Sequence, residues 1–540
     1  HRLLLLWAPD ASLGHGLGRT GTFAAVELAQ SDGFGPNRFS QRATATAQYE
    51  LGLGETGYLR LLWMSYATRF QSPGVIRQDD YLAGRKEFFD TYDNRQGGDA
   101  QRHSLSVDIG GRVGSVQLSQ QVFLTLRELR LRENFTGYIR DPQRAFQVFR
   151  GDDPQRGDLI DQHTDEITVG GRGSLRAQVS VLGQPQRLEV GYYARYDKNQ
   201  ATQQRLRAVE IGSTGITPYR TDFSFDAGET NIAAYIDAEL HLSRYVTARG
   251  GVRGDFFLFD VLDRCAVRET MQPGAPLDEE CYSLDRYGYR SPTERRSATG
   301  LAFQPRVSLH IEPLRGLSIS GSYGHGARSA DPLFLGDGDN APFASIRAGE
   351  AGVLFQRALG AVDFSTRAAF FHTHVDRDLI FDQTLGRSTL AGGTTRLGVA
   401  VAARASAQFL DAAMHLTWAR ATFDESGLLV PYVPDLVLRG DLASHGTVPR
   451  LRIAGSPFTA AIGIGVTYVA PRPLPLSERG DPYVLVDLAA RVRYRFIEAG
   501  IQLDNLLNRR YRLSEFNYVS DFHSRDYPTL VPARHFTAGP

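Results

Sequence analysis

Phe458–Ala470 reads FTAAIGIGVTYVA, and Tyr483–Phe496 reads YVLVDLAARVRYRF. In the first stretch Ala460, Ile462, Ile464, Val466 and Tyr468 share one parity, and Thr459, Ala461, Gly463, Gly465 and Thr467 share the other. In the second, Val484, Val486, Leu488, Ala490, Val492, Tyr494 and Phe496 oppose Asp487, Arg491, Arg493 and Arg495. Side chains alternate across a strand, so both stretches read as strands with one apolar and one polar face. They are about twice the usual strand length. Long strands that are apolar on one side only are what a membrane barrel requires. Ala460, Ile464, Val466, Val484, Val486 and Leu488 are therefore expected to face outward, and Asp487, Arg491 and Arg493 inward.

Working outward, the same pattern recurs along the 540 residues. Ala234, Ile236, Ala238, Leu240 and Leu242 oppose Tyr235, Asp237, Glu239 and His241. Pairs of strands turn tightly at Gly183-Gln184, Glu312-Pro313 and Leu410-Asp411, then run into long polar segments such as Phe70–Ala100, Arg130–Ile160, Asn199–Phe225 and Leu262–Ser297. About twenty strands result. Short turns alternate with long loops, which puts the long loops at one end of the sheet, as in outer-membrane barrels. An open sheet of that size would leave edges and overtwist, and closure removes both problems. The expected fold is all-β, a large antiparallel transmembrane β-barrel.

Composition agrees. The chain is 42% hydrophobic with mean hydropathy −0.28. A barrel looks soluble on this measure because only alternate residues meet lipid. No run approaches the ~18 apolar residues of a membrane helix. The net charge is +0 and gives no sign of a nucleic-acid partner. The basic residues are Arg apart from Lys86 and Lys198. The chain starts at His1 without a signal peptide; Leu3–Leu6 is too short for one.

Four passages together resemble the TonB-dependent outer-membrane receptors. Gly250-Gly251-Val252-Arg253-Gly254-Asp255 is similar to the family's mid-barrel strand. Gln304-Pro305-Arg306-Val307-Ser308-Leu309, followed by Leu317–Arg328 and Asp331-Pro332, resembles its next conserved-type passage. Asp504-Asn505-Leu506-Leu507-Asn508-Arg509-Arg510-Tyr511 resembles the penultimate strand, and Pro532-Ala533-Arg534-His535-Phe536 the approach to the last one. The order and spacing carry the likeness more than any one passage. It implies a receptor for energised uptake of a scarce large solute such as a ferric siderophore, in the outer membrane of a Gram-negative bacterium. The partners it implies are the TonB complex, acting through a plug domain, and outer-membrane lipid with lipopolysaccharide. The family has an N-terminal plug with a TonB-binding box, and a closing strand that ends on an aromatic residue. Neither is found between His1 and Pro540, so residues 1–540 read as the barrel domain of a fragment with about twenty of twenty-two strands. A passive porin-like channel is the alternative. It needs neither plug nor partner.

Cys265 and Cys281 are the two cysteines, both in Leu262–Ser297. A disulfide would pin that loop in an oxidising compartment; the alternative is two free thiols. Such a loop closure contributes roughly 3 kcal/mol. Tyr282, Tyr287, Tyr289, Arg290, Arg295 and Arg296 make the same loop aromatic and basic, suited to an anionic ligand or to solvent and lipopolysaccharide. Asp487, Arg491, Arg493 and Arg495 would line the lumen and face a plug, or simply water. His372-Thr373-His374 places two imidazoles on one strand face with Asp376, but no third ligand has a fixed position, and no metal site or cofactor is expected. Asp141-Pro142-Gln143-Arg144 recurs at Asp153-Pro154-Gln155-Arg156 without an evident mechanism. There is no phosphate-binding Gly-rich loop with Lys, no nucleophile elbow and no His-Glu-x-x-His, so an enzyme is not expected.

Overall fold

The computed structural model describes residues 1–9, 21–137, 139, 158–181, 183–208, 215–264, 266–268, 289–291, 294–336, 338–453, 456–522 and 531–540. Twenty strands form one sheet. Successive strands are antiparallel neighbours, from Arg2–Trp7 with Phe23–Ser31 to Tyr483–Tyr494 with Ile497–Leu503. These two end strands, Arg2–Trp7 and Ile497–Leu503, each have one partner among the described residues. No helix is long and apolar enough to cross a membrane; the crossing elements are strands.

The stretches quoted first pair as expected. Ala460, Ile464 and Val466 lie opposite Val492, Leu488 and Val486, which puts both apolar sets on one face. On that face Ile462, Ile464, Val466, Val484 and Val492 are between 41% and 54% exposed. A soluble protein would bury such a stripe; in a bilayer the stripe meets lipid. The other face is concave. From it Gln162, Gln203 and Arg205 reach the backbone of Gly386, Leu385 and Thr384, at 2.8, 2.7 and 2.7 Å. Those three residues join the strands Val362–Asp382 and Arg387–Ser406, far around the sheet. Contact at that separation requires the sheet to curl around a lumen.

Ile464→Arg places a guanidinium in the lipid-facing stripe. The expected cost is about 2–4 kcal/mol near the midplane. Heat-modifiable migration on a gel should be lost at a lower temperature. Ala489→Arg, beside Asp487 on the lumen face, should leave it unchanged; equal losses in the two variants would reverse the assignment of faces.

Several boundaries differ from expectation; Leu410 and Asp411, for example, open a strand rather than form a turn. Asn199–Phe225 is not a loop: the strands Gln184–Ala208 and Ile216–Ser243 run through it. The hairpin expected at Glu312-Pro313 turns instead at Arg315-Gly316. Gly316 there has φ +83°, and a Cβ would lie 2.0 Å from the Gln356 carbonyl oxygen, so no other residue fits. The strand opening at Tyr483 ends at Tyr494, and Arg495 (φ +51°) with Phe496 makes the turn. Arg495 is thus a turn residue rather than part of the lumen wall; its Nε donates to Ser456 Oγ at 3.1 Å.

At the long-loop end a second, three-stranded sheet forms from Ile76–Arg77, Arg512–Val519 and Pro532–Ala538. The short helix Gln78–Leu82 lies beside it. Val75, Ile76, Phe88, Tyr92, Tyr518, Phe522, Phe536 and Ala538 bury together there. Burying one such aromatic contributes about 1.5–3 kcal/mol, so this cap has a small core of its own.

Candidate functional site

The passages that carried the family likeness meet on the lumen wall. Asp237, 4% exposed, receives Arg249 Nε at 2.7 Å and the Arg306 fork at 2.8 and 3.1 Å. One position up, Asp255 is 3% exposed and receives the Arg253 fork at 2.6 and 2.7 Å. Gln304 donates to the same carboxylate at 2.6 Å and Asn231 at 3.1 Å. The glycine before Val252 has a stated job: a Cβ on Gly251 would lie 2.7 Å from Asp237 Oδ2. A side chain there would displace the carboxylate that gathers two guanidiniums. Charged hydrogen bonds with most lone pairs satisfied make such buried pairs tolerable.

Arg249, Arg253, Gln304 and Arg306, with Asp108, Arg172, Glu189 and Tyr235, line a recess of about 690 Å³ in the wall. Further round, Asp487 accepts from Arg439 Nη1 at 2.5 Å and from the Asn505 backbone N–H at 3.0 Å. Asn505 has φ +51° and Asn508 φ +48°, left-handed conformations that asparagine tolerates. The strand ends at Leu503, so the Asp504–Tyr511 passage lies beyond it and turns there, tied back to Asp487. Arg491 pairs with Glu498 at 3.4 Å, and Arg493 Nε donates to the Arg495 carbonyl at 3.2 Å. Asp487, Arg491 and Arg493 lie on the face opposite the apolar stripe, and their partners are the barrel's own groups.

The mouth is covered. Arg77 is 1% exposed and joins the Asp79 carboxylate to the Ser520 carbonyl, at 2.7 Å each. The Asp521 N–H donates to the Thr136 carbonyl at 2.9 Å. Tyr92 stacks on Phe522 at 4.1 Å. Glu515, 1% exposed, accepts from Arg534 at 2.6 Å, Arg512 at 3.1 Å and the Asp481 N–H at 2.6 Å. His535 is fully buried and stacks on Tyr518 at 4.1 Å. Burial, with Arg77 nearby, pushes its pKa down to about 3. Glu133 lies well beyond Leu126, the last leucine its strand presents on the outer face. There burial pushes its carboxyl up to about 7 against a hydrogen bond from Ser72. Within the mouth Arg387 packs over Phe223 at 5.1 Å, and its Nε and Nη1 are buried with no hydrogen-bond partner among the described residues.

Of the loop residues singled out in the sequence, Cys265, Cys281, Tyr282, Tyr287 and the repeated Asp-Pro-Gln-Arg lie outside the described residues. Tyr289 and Arg290 lie on a short strand paired with Ala266–Arg268. Arg295 and Arg296 part company. Arg296 turns inward to Asp263 at 2.6 Å and the Leu335 carbonyl at 2.9 Å, while Arg295 pairs with Asp260 at 2.9 Å on the outer face. His374 pairs with Asp424 at 3.0 Å. Sequence reading missed Arg387 and the Asp237 cluster as sites, although the resemblance had already singled out Arg306 and Asp255.

A curled sheet with an apolar exterior and an ion-paired lumen defines an outer-membrane β-barrel. The chain matches the family described as TonB dependent receptor-like, beta-barrel, over residues 34–506, and it belongs to that family. It is accordingly a TonB-dependent transport protein of the Gram-negative outer membrane. A search of curated protein sequences finds no match. Among solved structures it is similar to the siderophore receptor PiuA from Acinetobacter baumannii, with TM-score 0.70 and 14% identity over 99% of this chain and 79% of that one. The ferric yersiniabactin uptake receptor FyuA from Yersinia pestis gives TM-score 0.68 and 13% identity over 99% and 76%. The ferric-catecholate import receptor Fiu from E. coli K12, in its open form, gives 0.68 and 12% over 99% and 78%. At these identities the likeness is one of fold.

Proposed function

We propose that the protein takes up a scarce, anionic iron chelate of the ferric siderophore class, with the TonB complex supplying energy through a plug domain seated against the lumen wall. The observation that carries this reading is Arg387. A guanidinium held over an aromatic ring, with two buried N–H groups lacking an acceptor among the described residues, is suited to an anionic solute. The Asp237 and Asp255 clusters, with Asp487, Arg491 and Arg493, form the surface a plug would meet. Tyr282, Tyr287, Tyr289, Arg290 and Arg296 are candidates for a first contact at the mouth, and Arg295 on the outer face for lipopolysaccharide.

Growth under iron limitation tests the reading. Cells with the gene should use a supplied ferric siderophore as sole iron source, and cells without it should not. Loss of TonB should abolish the difference; uptake that survives loss of TonB would mark a passive channel. Arg387→Ala should weaken ligand binding by roughly ten- to a hundred-fold, as expected for lost hydrogen bonds to a charged group. Unchanged affinity in that variant would remove Arg387 from the site.

A further inference from the structure

Many carboxylates of this barrel are matched to arginine; Glu128 and Asp165 are a facing pair that is not. Glu128 and Asp165 lie directly opposite each other on adjacent strands. Like charges so placed are destabilising. Among the described residues neither has an Arg or Lys within ion-pair distance: their ionic partner there is His163, whose Nε2 is 3.6 Å from a carboxylate oxygen of each. That separation is too long for a hydrogen bond. Arg130, directly opposite His163, is committed to Asp161 through a fork at 2.8 and 3.1 Å. Arg127, next to Glu128 in the chain, points to the opposite face and pairs with Glu166.

The three donor atoms lie within 4.8 Å of one another. Donors around a cation at 2.0–2.2 Å stand about 3.3 Å apart in a tetrahedron, so the observed spacing closes onto one ion with small side-chain rotations. The Gln101 amide donates to the second oxygen of Glu128 and orients that carboxylate. The cluster sits on the outer face, one step of the strands above Leu126 and Ile167, the upper edge of the lipid-facing stripe. All three side chains are part-exposed, so an ion has an entry path and room for water in its remaining positions.

We infer that Glu128, His163 and Asp165 form a site for one divalent transition-metal cation on the outer rim, clamping the strands Val116–Glu133 and Leu159–Val181 together. One imidazole and two carboxylates suit Zn²⁺ or Mn²⁺. The ion offsets the carboxylate repulsion that the protein's own cations leave unanswered.

The test is calorimetric titration of Zn²⁺ into the detergent-purified protein, stripped with chelator and carrying no polyhistidine tag. One site of micromolar or tighter affinity is expected. His163→Ala and Asp165→Asn should each weaken it by more than about tenfold, while heat-modifiable migration shows both variants folded. Identical titrations in wild type and variants would overturn the site. So would a wild type that binds no Zn²⁺.

Discussion

Glu515→Ala is expected to undock the extracellular cap while leaving the barrel intact. Glu515 is buried at the meeting point of three segments: Arg512 and Arg534 come from two strands of the cap sheet, and the Asp481 N–H from the loop beneath it. Removing the carboxylate leaves two half-buried guanidiniums facing each other. Breaking a buried pair by deleting one partner costs about 3–5 kcal/mol. Asp481 bonds both arginines, at 2.8 and 3.0 Å, and retains part of the network. It is half exposed, so the lower end of that range is expected. Amide exchange in Arg512–Val519 should speed up by at least two orders of magnitude, on the rule that 1.4 kcal/mol is roughly tenfold. The lipid-facing strands are held by their own ladders, so heat-modifiable migration should not change. Unaltered exchange in the cap would show that its aromatic core alone holds it down.

The second large effect is a pair of opposed pH slopes. His535 has a folded pKa of about 3 against 6.5 free. The docked cap binds fewer protons than the undocked one, so His535 contributes its full stability above pH 6.5 and loses it as pH falls toward 3. Glu133 has a folded pKa of about 7 against 4.5 free. Here the docked state binds more protons; the contribution is complete below pH 4.5 and is lost as pH rises toward 7. Each slope is about 1.4 kcal/mol per pH unit. Between pH 4.5 and 6.5 they cancel, and cap stability in the wild type should be nearly flat. Glu133→Gln leaves only the histidine slope, so the cap should tighten with rising pH over that window. His535→Phe keeps the ring on Tyr518 and leaves only the glutamate slope, so the cap should loosen. The expected change is roughly 2–3 kcal/mol in each direction across the two units. Limited proteolysis of the cap at three pH values reads it. Slopes of the same sign in both variants would mean that one of the two groups does not titrate with docking.

Binary pattern decided which parts of the fold were legible in advance. Where a strand crosses lipid, its outer residues must be apolar and its inner ones solvated, so Ala460–Tyr468 and Val484–Val492 declare both strand and face. Beyond the bilayer the same strand no longer faces lipid, and Gln203 and Arg205 are buried against the backbone of Leu385 and Thr384. Gln200, Gln203, Arg205 and Arg207 then show no alternation, and Asn199–Phe225 passes for a loop although its backbone ladder is continuous. The turns followed a different rule: Gly316 was required by a backbone approach from Gln356 that belongs to another strand.

The sequence by itself determined the class of fold, the lipid-facing set and the family, because lipid imposes a period of two on every crossing strand and the likeness rests on local passages. It also named Arg306 and Asp255 as residues of recognised passages. Only the tertiary structure decided what they do. Asp237 gathers Arg249 from its neighbouring strand and Arg306 from the one beyond, through a register that no local pattern encodes. The cap joins Ile76–Arg77 to Pro532–Ala538 across most of the chain. Glu128, His163 and Asp165 become neighbours because Glu128 pairs with Asp165 and Arg130 with His163. Such sites depend on which strand lies beside which and in what register, and closure of the sheet sets both.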